Sequence, residues 1–233
     1  MTNKQASCIK SKGYNNSSDV LRELKDLYIK DILPVEQATE FHALNHGALS
    51  EGDFASPPML LVIGPYSAGK TTFIEYLLGK PFPGGRVGPE PTTDSFCAII
   101  NGENERMIPG NALTITPGSQ FHGLQKFGND FLTRFYGAEV SSCEVAKGLT
   151  IIDSPGVLSG EKQTLGRSYD YTDVVNWFAE RSDMIICFFD VNKCEISDEM
   201  SSSIKALYKF SDKVKVVLNK CDSVDTSQNL MKV

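Results

Sequence analysis

The sequence predicts an α/β fold in which a mostly parallel β-sheet is flanked by helices. Short apolar runs without polar alternation recur along the chain, as is usual for strands buried on both faces. Segments with helical spacing of apolar residues separate these runs, and this alternation is typical of helices packed over a parallel sheet. With 233 residues, 41% of them hydrophobic, the chain can bury one substantial core.

Two segments are predicted to precede the α/β domain. Residues 1–18 are polar and aperiodic and carry lysines but no acid, so they predict a disordered basic arm, with a lipid-contacting tail as the alternative. Residues 19–56 predict an N-terminal helical segment. Its main helix is capped by Ser18 or Asp19 and ends before Pro34.

Residues 57–233 predict the α/β domain itself. Its predicted strands occupy 59–64, 96–100, 149–153, 184–190 and 214–219. The predicted helices are a segment that follows the first strand and ends at Gly79, and the segments 171–180 and 197–210.

Charge and cysteine pattern restrict the classes of function. The formal net charge of −6 predicts no general attraction to nucleic acid or to anionic lipid. The six cysteines form no C-x-x-C pair and several lie in apolar runs, which predicts the buried, reduced thiols of a cytoplasmic protein. No apolar run approaches the ~20 residues that span a bilayer, and the N-terminus lacks the pattern of a secretory signal.

A glycine-rich loop is the strongest functional signal. GPYSAGKT at 64–71 fits G-x-x-x-x-G-K-[ST] between a predicted strand and a predicted helix. The backbone N–H groups of such a loop converge on phosphate oxygens, and the helix N-terminus favours their negative charge. Lys70 is predicted to reach the β- and γ-phosphates, and the Thr71 hydroxyl to ligate Mg²⁺. The predicted nucleotide contacts are Gly64, Pro65, Tyr66, Ser67, Ala68, Gly69, Lys70, Thr71 and Thr72.

Three further boxes follow in the order expected of a P-loop nucleoside triphosphatase. Asp153 and Gly156 form D-x-x-G at the end of a strand, where the carboxylate can hold Mg²⁺ and the glycine N–H can meet the γ-phosphate. Thr93, in PTTD at 91–94, can ligate Mg²⁺ only when the γ-phosphate is present, and so act as a switch. The last box is N-K-x-D, formed by Asn219, Lys220, Cys221 and Asp222.

Together these motifs resemble the EH-domain-containing (EHD) family of dynamin-related ATPases from about Leu21 onward. The segments that carry the resemblance are GPYSAGKTTFI (64–74), GPEPTTDSF (88–96), PGNAL (109–113), DSPGVLSGEKQ (153–163), WFAER (177–181), ISDE (196–199) and VLNKCD (217–222). The resemblance implies a dynamin-type G domain with an N-terminal helical lead-in. It also implies nucleotide-dependent self-association, membrane remodelling and endocytic recycling by a cytoplasmic protein that is peripheral on endosomal or plasma membranes.

The identity of the base is left open by the residues. A carboxylate at Asp222 should accept hydrogen bonds from guanine and repel the acceptor edge of adenine, which favours GTP. The family resemblance implies ATP, which we expect, with Mg²⁺ as the metal. A dynamin-like GTPase is the first alternative.

The expected reaction is attack of water on the γ-phosphate. Lys70 and loop N–H groups would neutralise charge, Gly156 would meet the γ-phosphate, and Thr93 would position metal and water. Tyr66 stands where dynamin has a glutamine. Arg86, which lies near the switch segment, has no motif that would identify it as an arginine finger and is more readily a surface charge. Both observations predict slow turnover.

The chain ends 11 residues after Asp222 (233 − 222 = 11). We therefore expect a C-terminally incomplete nucleotide domain, without the base loop, most of the helical domain or the EH domain of the resembled family. Membrane binding is then expected to be weak or absent. A non-hydrolysing, nucleotide-binding interaction module is the second alternative.

Overall fold

A computed structural model describes residues 17–41, 49, 51–85, 95–157, 169–193 and 196–223. Contacts divide the chain into two compact units, Met1–Ala55 and Ser56–Val233. Most of the predicted basic arm lies outside the described residues. Its last two residues are helical, because the first helix begins at Ser17 and so already includes Ser18 and Asp19, the two predicted caps.

The first unit is helical, and its main helix continues past the proline that was predicted to end it. Helix α1 (Ser17–Leu27) leads through a π-helical turn (Tyr28–Ile32) into α2 (Leu33–Ala38), and α3 (Glu51–Ala55) follows. The Leu33 N–H bonds to the carbonyl of Tyr28, five residues back. This wider turn places Pro34 in the first turn of α2, where its missing N–H costs nothing. The prediction that Pro34 ends the helix is therefore wrong.

Tyr28 is the buried anchor of this unit. Its hydroxyl donates to Glu36 Oε2 at 2.7 Å and accepts from the Leu49 N–H at 3.1 Å. Its ring lies 5.5 Å from that of Phe54, measured between centroids. One aromatic side chain thus ties α1, α2 and α3 together.

The second unit is built on a seven-stranded sheet in the order β3-β4-β2-β5-β1-β6-β7. The strands are β1 (Met59–Ile63), β2 (Phe96–Asn101), β3 (Arg106–Pro109), β4 (Phe135–Val140), β5 (Thr150–Asp153), β6 (Met184–Asp190) and β7 (Val214–Asn219). The five strands expected from the sequence are confirmed within one residue at each end. Strands β3 and β4 were not predicted.

The sheet is mixed but mostly parallel. Strand β1 pairs in parallel with β5 and β6, β6 with β7, and β2 with β4. Strand β2 runs antiparallel to β5, and β3 antiparallel to β4. Strand β3 has only four residues at a sheet edge and none of them is buried, which explains why no apolar run announced it.

Helices cover both faces. They are α4 (Lys70–Leu78), α5 (Gly110–Ile115), α6 (Gly128–Leu132), α7 (Glu144–Gly148), α8 (Tyr171–Arg181) and α9 (Asp198–Leu207). The three predicted helices are confirmed as α4, α8 and α9, and α9 continues as a 3₁₀ turn, Tyr208–Phe210. Helix α4 ends at Gly79 in the left-handed conformation, as predicted. Side chains of Asp170 and Ser197 cap α8 and α9 by accepting from the N–H groups of Asp173 and Met200.

Two hydrophobic layers enclose the sheet. One is rich in aromatic rings, with Phe96, Phe131, Phe135 and Phe178 at its centre. The other is aliphatic and includes Val62, Ile74, Leu78, Ile99 and Ile151. No helix among the described residues is long and apolar enough to cross a membrane.

The parallel half of the sheet positions the functional residues. Strands β5, β1, β6 and β7 are neighbours that point in one direction, so their carboxyl ends meet at one edge. Val62 is opposite Asp153, and Asp190 is opposite Asn219. The glycine-rich loop after β1 is therefore flanked by the residues that end β5, β6 and β7.

Candidate nucleotide-binding site

The glycine-rich loop has backbone conformations that its glycines make accessible. Gly69 has φ +94°, and a Cβ there would lie 2.2 Å from Asn219 Nδ2. A Cβ on Gly64 would lie 2.5 Å from the carbonyl oxygen of Phe188. Ser67 is also left-handed, with φ +62°. The loop thus packs its backbone directly against β6 and the end of β7, where no side chain would fit.

Lys70 is buried beneath the loop. Its Nζ donates to the carbonyls of Gly64 and Pro65, both at 3.0 Å, so the ammonium lies inside the loop. Burial lowers the pKa of Lys70 to about 8, although the nearby Asp153 carboxylate raises it. The protein therefore holds a cation next to the N-terminus of α4, where an anion would compensate for its burial.

Asp153 and Thr71 form the second part of the site. The Thr71 hydroxyl donates to Asp153 Oδ2 at 2.9 Å. Asp153 Oδ1 is buried and has no hydrogen-bond partner among the described residues. Burial raises the pKa of Asp153 to about 6, against the opposing effects of Lys70 and Thr71.

These residues fit a magnesium ion. A buried carboxylate oxygen without a partner costs free energy, and a hard cation would satisfy it. A hydroxyl and a carboxylate side by side are oxygen ligands of the kind that Mg²⁺ takes together with phosphate and water. Thr71 and Asp153 are thus the described residues that would hold the ion.

The D-x-x-G segment is tied to the loop by backbone contacts. The Tyr66 N–H donates to the carbonyl of Val157 at 2.9 Å, and the Val157 N–H donates to the carbonyl of Gly64 at 3.4 Å. A Cβ on Gly156 would lie 2.7 Å from Tyr66 Cα, which explains the glycine at this position. A displacement of this segment would therefore displace the loop as well.

The N-K-x-D box braces the other side of the loop. Asn219 Nδ2 donates to the carbonyl of Ala68 at 3.0 Å, and Lys220 Nζ donates to the carbonyl of Ser67 at 2.7 Å. Lys220 is left-handed, with φ +61°. Asp222 lies in the 3₁₀ turn Cys221–Ser223 with its side chain exposed. The first two residues of the box thus contact the loop, and Asp222 is presented to solvent.

The structure brings most of the predicted site residues together. Thr71, Lys70, Asp153, Asn219 and Lys220 converge on one loop, whereas Thr72 is exposed on α4. Thr93 and Arg86 lie outside the described residues.

Sequence reasoning missed two charged residues, one at the end of β6 and one just after it. Asp190 Oδ2 accepts from Lys220 Nζ at 2.8 Å, and Lys193 Nζ lies 6.0 Å from the centroid of the Tyr66 ring. The available signal was an acid at the end of a buried run parallel to the strand that carries Asn219. The contact with Lys220 depends on strand pairing, which the motif patterns do not contain.

Comparison with known proteins shows which family this chain belongs to. The Dynamin family model matches residues 60–221, and the N-terminal EH-domain containing protein model matches residues 23–55. EH domain-containing protein 3 of Homo sapiens is 52% identical over 210 residues, which are 90% of this chain and 39% of that protein. EH domain-containing protein 1 of Bos taurus is 50% identical over 210 residues, again 90% of this chain and 39% of that protein.

Among solved structures, one of an oligomerised bacterial dynamin pair aligns with 95% of this chain and 35% of its own, at 14% identity and a TM-score of 0.47. This likeness is too weak to add to the assignment. The sequence matches carry it, since the Dynamin family model alone spans most of the α/β unit. The chain therefore belongs to the dynamin family and, within it, to the EH-domain-containing group.

Proposed function

We propose that this chain binds a nucleoside triphosphate with Mg²⁺ and hydrolyses it slowly, ATP being favoured over GTP. The observation that carries the proposal is Asp153 Oδ1, which has no hydrogen-bond partner within the described ranges and lies beside Thr71 and the buried Lys70 at one glycine-rich loop. A cation site and a phosphate site are adjacent there, as phosphoryl transfer requires.

The residues have separate roles in this proposal. Lys70 exchanges its carbonyl partners for phosphate oxygens, and the loop N–H groups donate to the same phosphates. Thr71, Asp153 and Thr93 would hold Mg²⁺, which would neutralise phosphate charge when bound. The N–H of Gly156 contacts the γ-phosphate, and the remaining predicted loop residues line the phosphates. Tyr66 cannot orient a water molecule as an amide can, and slow turnover follows from this.

Base preference is the finer part of the proposal. Membership of the EH-domain-containing group supports ATP as the preferred nucleotide, because the family resemblance implies ATP. Adenine would then be recognised by groups other than the exposed Asp222. The intact N-K-x-D box favours GTP as the second candidate, because Asn219 and Lys220 already contact the loop.

The relatives extend the proposal to the whole protein. As a dynamin-like protein, it would self-associate through the nucleotide unit and act in membrane remodelling and endocytic recycling, peripherally on endosomal or plasma membranes. Lipid binding by residues 1–233 alone is proposed to be weak or absent, because the N-terminal arm is short and the net charge is −6. The arm 1–18, the helical segment 19–56 and the nucleotide unit 57–233 are the proposed functional divisions.

Titration calorimetry with Mg²⁺ and non-hydrolysable ATP and GTP analogues tests the proposal, followed by phosphate release with the natural nucleotides. Binding and slow release with ATP support it. Binding of GTP alone would mean that the N-K-x-D box recognises guanine and that the proposed preference for ATP is wrong. Binding without turnover leaves a nucleotide-dependent interaction module, and no binding by a folded sample contradicts the proposal.

A further inference from the structure

Asp190 is a buried acid that belongs to none of the nucleotide boxes. It ends β6 and is 5% exposed. Its Oδ1 accepts from the Asn192 N–H at 2.9 Å, and its Oδ2 accepts from Lys220 Nζ at 2.8 Å. Although burial raises the pKa of Asp190, the hydrogen bonds from Lys220 and Asn192 lower it below its usual value. The carboxylate is thus held ionised between a turn and a lysine.

The lysine that Asp190 holds is also bonded to the phosphate loop. Lys220 Nζ donates to the carbonyl of Ser67 at 2.7 Å. Lys220 and Ser67 are both non-glycine residues in the left-handed region, at φ +61° and +62°. Such conformations persist only where surrounding contacts enforce them. The two hydrogen bonds of Lys220, to Asp190 and to Ser67, supply these contacts and join the end of β6 to the loop.

The same acid organises the turn that faces the loop. The Lys193 N–H donates to the Asp190 carbonyl at 2.9 Å, and the Lys193 ammonium lies over the Tyr66 ring. Asp190 therefore has connections to both ends of the loop segment Tyr66–Ser67, one through each lysine. A flexible lysine without a fixed partner would have to be ordered when a ligand binds, at an entropic cost.

We propose that Asp190 is a positioning residue of the nucleotide site, which preorganises the phosphate loop by holding Lys220 against the carbonyl of Ser67. This inference rests on the proposed function, since it assigns a role within the same site. Asp190 does not contact nucleotide. Its effect on affinity passes through Lys220.

The substitution Asp190→Asn should disrupt the contact with Lys220 and keep the hydrogen bond that supports the turn. The amide oxygen can still accept from the Asn192 N–H, but the amide nitrogen then faces the Lys220 ammonium, so two donors oppose each other. We expect a rise of roughly tenfold in the Kd of Mg²⁺ with a non-hydrolysable nucleotide analogue, as for the loss of one charge-assisted hydrogen bond. The stoichiometry in titration calorimetry should stay unchanged, because the folded fraction is the same.

Lys220→Met and the double variant supply the second measurement. If Asp190 acts through Lys220, adding Asp190→Asn to Lys220→Met should weaken binding no further. Glu139→Gln is the matched control. It changes a carboxylate that accepts from Arg106 at the other end of the sheet, between β3 and β4, and should leave the Kd unchanged.

Two results would overturn the inference. One is an unchanged Kd in Asp190→Asn, and if the stoichiometry were reduced at the same time, Asp190 would be a purely structural residue. The other is full additivity of the effects of Asp190→Asn and Lys220→Met on the Kd. Failure of the wild-type chain to bind any nucleotide analogue would overturn the proposed function as well, and so it is distinguishable from a loss seen only in Asp190→Asn.

Discussion

At the scale of single residues, the hydrogen-bond partners of the buried Lys70 ammonium within the described part of the chain are backbone carbonyls. Both partners, Gly64 and Pro65, belong to the loop that it is proposed to serve. A ligand with negative oxygens can replace these neutral acceptors by charge-assisted bonds, which are stronger. The energetic gain from nucleotide binding should therefore be concentrated at this side chain.

We predict that Lys70→Met weakens binding of the Mg²⁺-nucleotide analogue by at least roughly tenfold, since charged hydrogen bonds contribute about 1.5–3 kcal/mol. Methionine keeps the apolar stem and removes the charge. Calorimetric titration measures the change. Lys80→Met, which removes an ammonium that binds Glu105 and the carbonyl of Ser141 beyond the end of α4, is the control and should bind normally. Equal affinity of wild type and Lys70→Met would contradict the assignment.

Asp190 gives a prediction about pH. Its pKa in the folded chain is lowered, so its ionised form stabilises the fold above the unfolded-chain pKa of about 3.9. This contribution is lost as the pH falls through the lower folded-state pKa. The deficit of Asp190→Asn in the free energy of unfolding should be complete at pH 7 and pH 5 and should shrink only below about pH 4. Urea unfolding at these pH values measures it, and a deficit that already vanishes at pH 5 would exclude the ionised pair.

At the scale of elements, α4 has a left-handed glycine at each end, and the two glycines differ in their surroundings. Gly69 precedes the helix with φ +94°, and a Cβ there would lie 2.2 Å from Asn219 Nδ2. Gly79 follows the helix with φ +71°, and a Cβ there would meet no described atom within 4 Å outside its chain neighbours and the helix backbone. Backbone strain is common to both positions, whereas the collision with the N-K-x-D box occurs only at Gly69.

We predict that Gly69→Ala and Gly79→Ala each cost about 1 kcal/mol or more in stability, because alanine is strained at positive φ. Only Gly69→Ala should also weaken nucleotide binding, by more than tenfold, since it displaces Asn219 from the loop. Chemical unfolding and calorimetry measure the two effects separately. A comparable loss of affinity in Gly79→Ala would show that the helix end, and not the contact with Asn219, controls the site.

At the scale of the whole molecule, the site residues come from the ends of several elements of the α/β unit. Ligand that binds only the folded chain stabilises it by about 2.7 kcal/mol at a concentration of 100 times the Kd. The proposed metal site would add a dependence on Mg²⁺, because Thr71 and Asp153 would bind the ion together with phosphate.

We predict that a nucleotide analogue at about 100 times its Kd, with Mg²⁺, raises the Tm by several degrees, as expected for a domain of this size. Chelation of Mg²⁺ should remove most of this increase. Thr71→Val, which keeps the shape and removes the hydroxyl, should remove it too. It should also lower the Tm without ligand by a few degrees, because Asp153 Oδ2 loses its hydrogen bond. Differential scanning calorimetry measures these values. An increase in Tm that persists in excess chelator would exclude the magnesium site.

The local signals in the chain were sufficient for the position of the glycine-rich loop between a strand and a helix, for five strands and for the ends of three helices. Glycine spacing, helix caps and apolar runs act through neighbouring residues, so the sequence alone reveals them. The same signals misplaced the end of the first helix at Pro34, because a π-helical turn absorbed the missing hydrogen bond. They also gave no sign of β3 and β4, whose residues are too exposed or too mixed in polarity to form an apolar run.

Contacts between distant segments required the folded chain. The antiparallel pairing of β2 with β5, the hydrogen bond from Asn219 to Ala68 and the ion pair of Asp190 with Lys220 join residues that are far apart in sequence. Each depends on which strands become neighbours, and that choice minimises the free energy of the whole core rather than of any one segment. The motifs thus specify the chemistry of each side chain, and the pairing of β1, β5, β6 and β7 brings those side chains to one place.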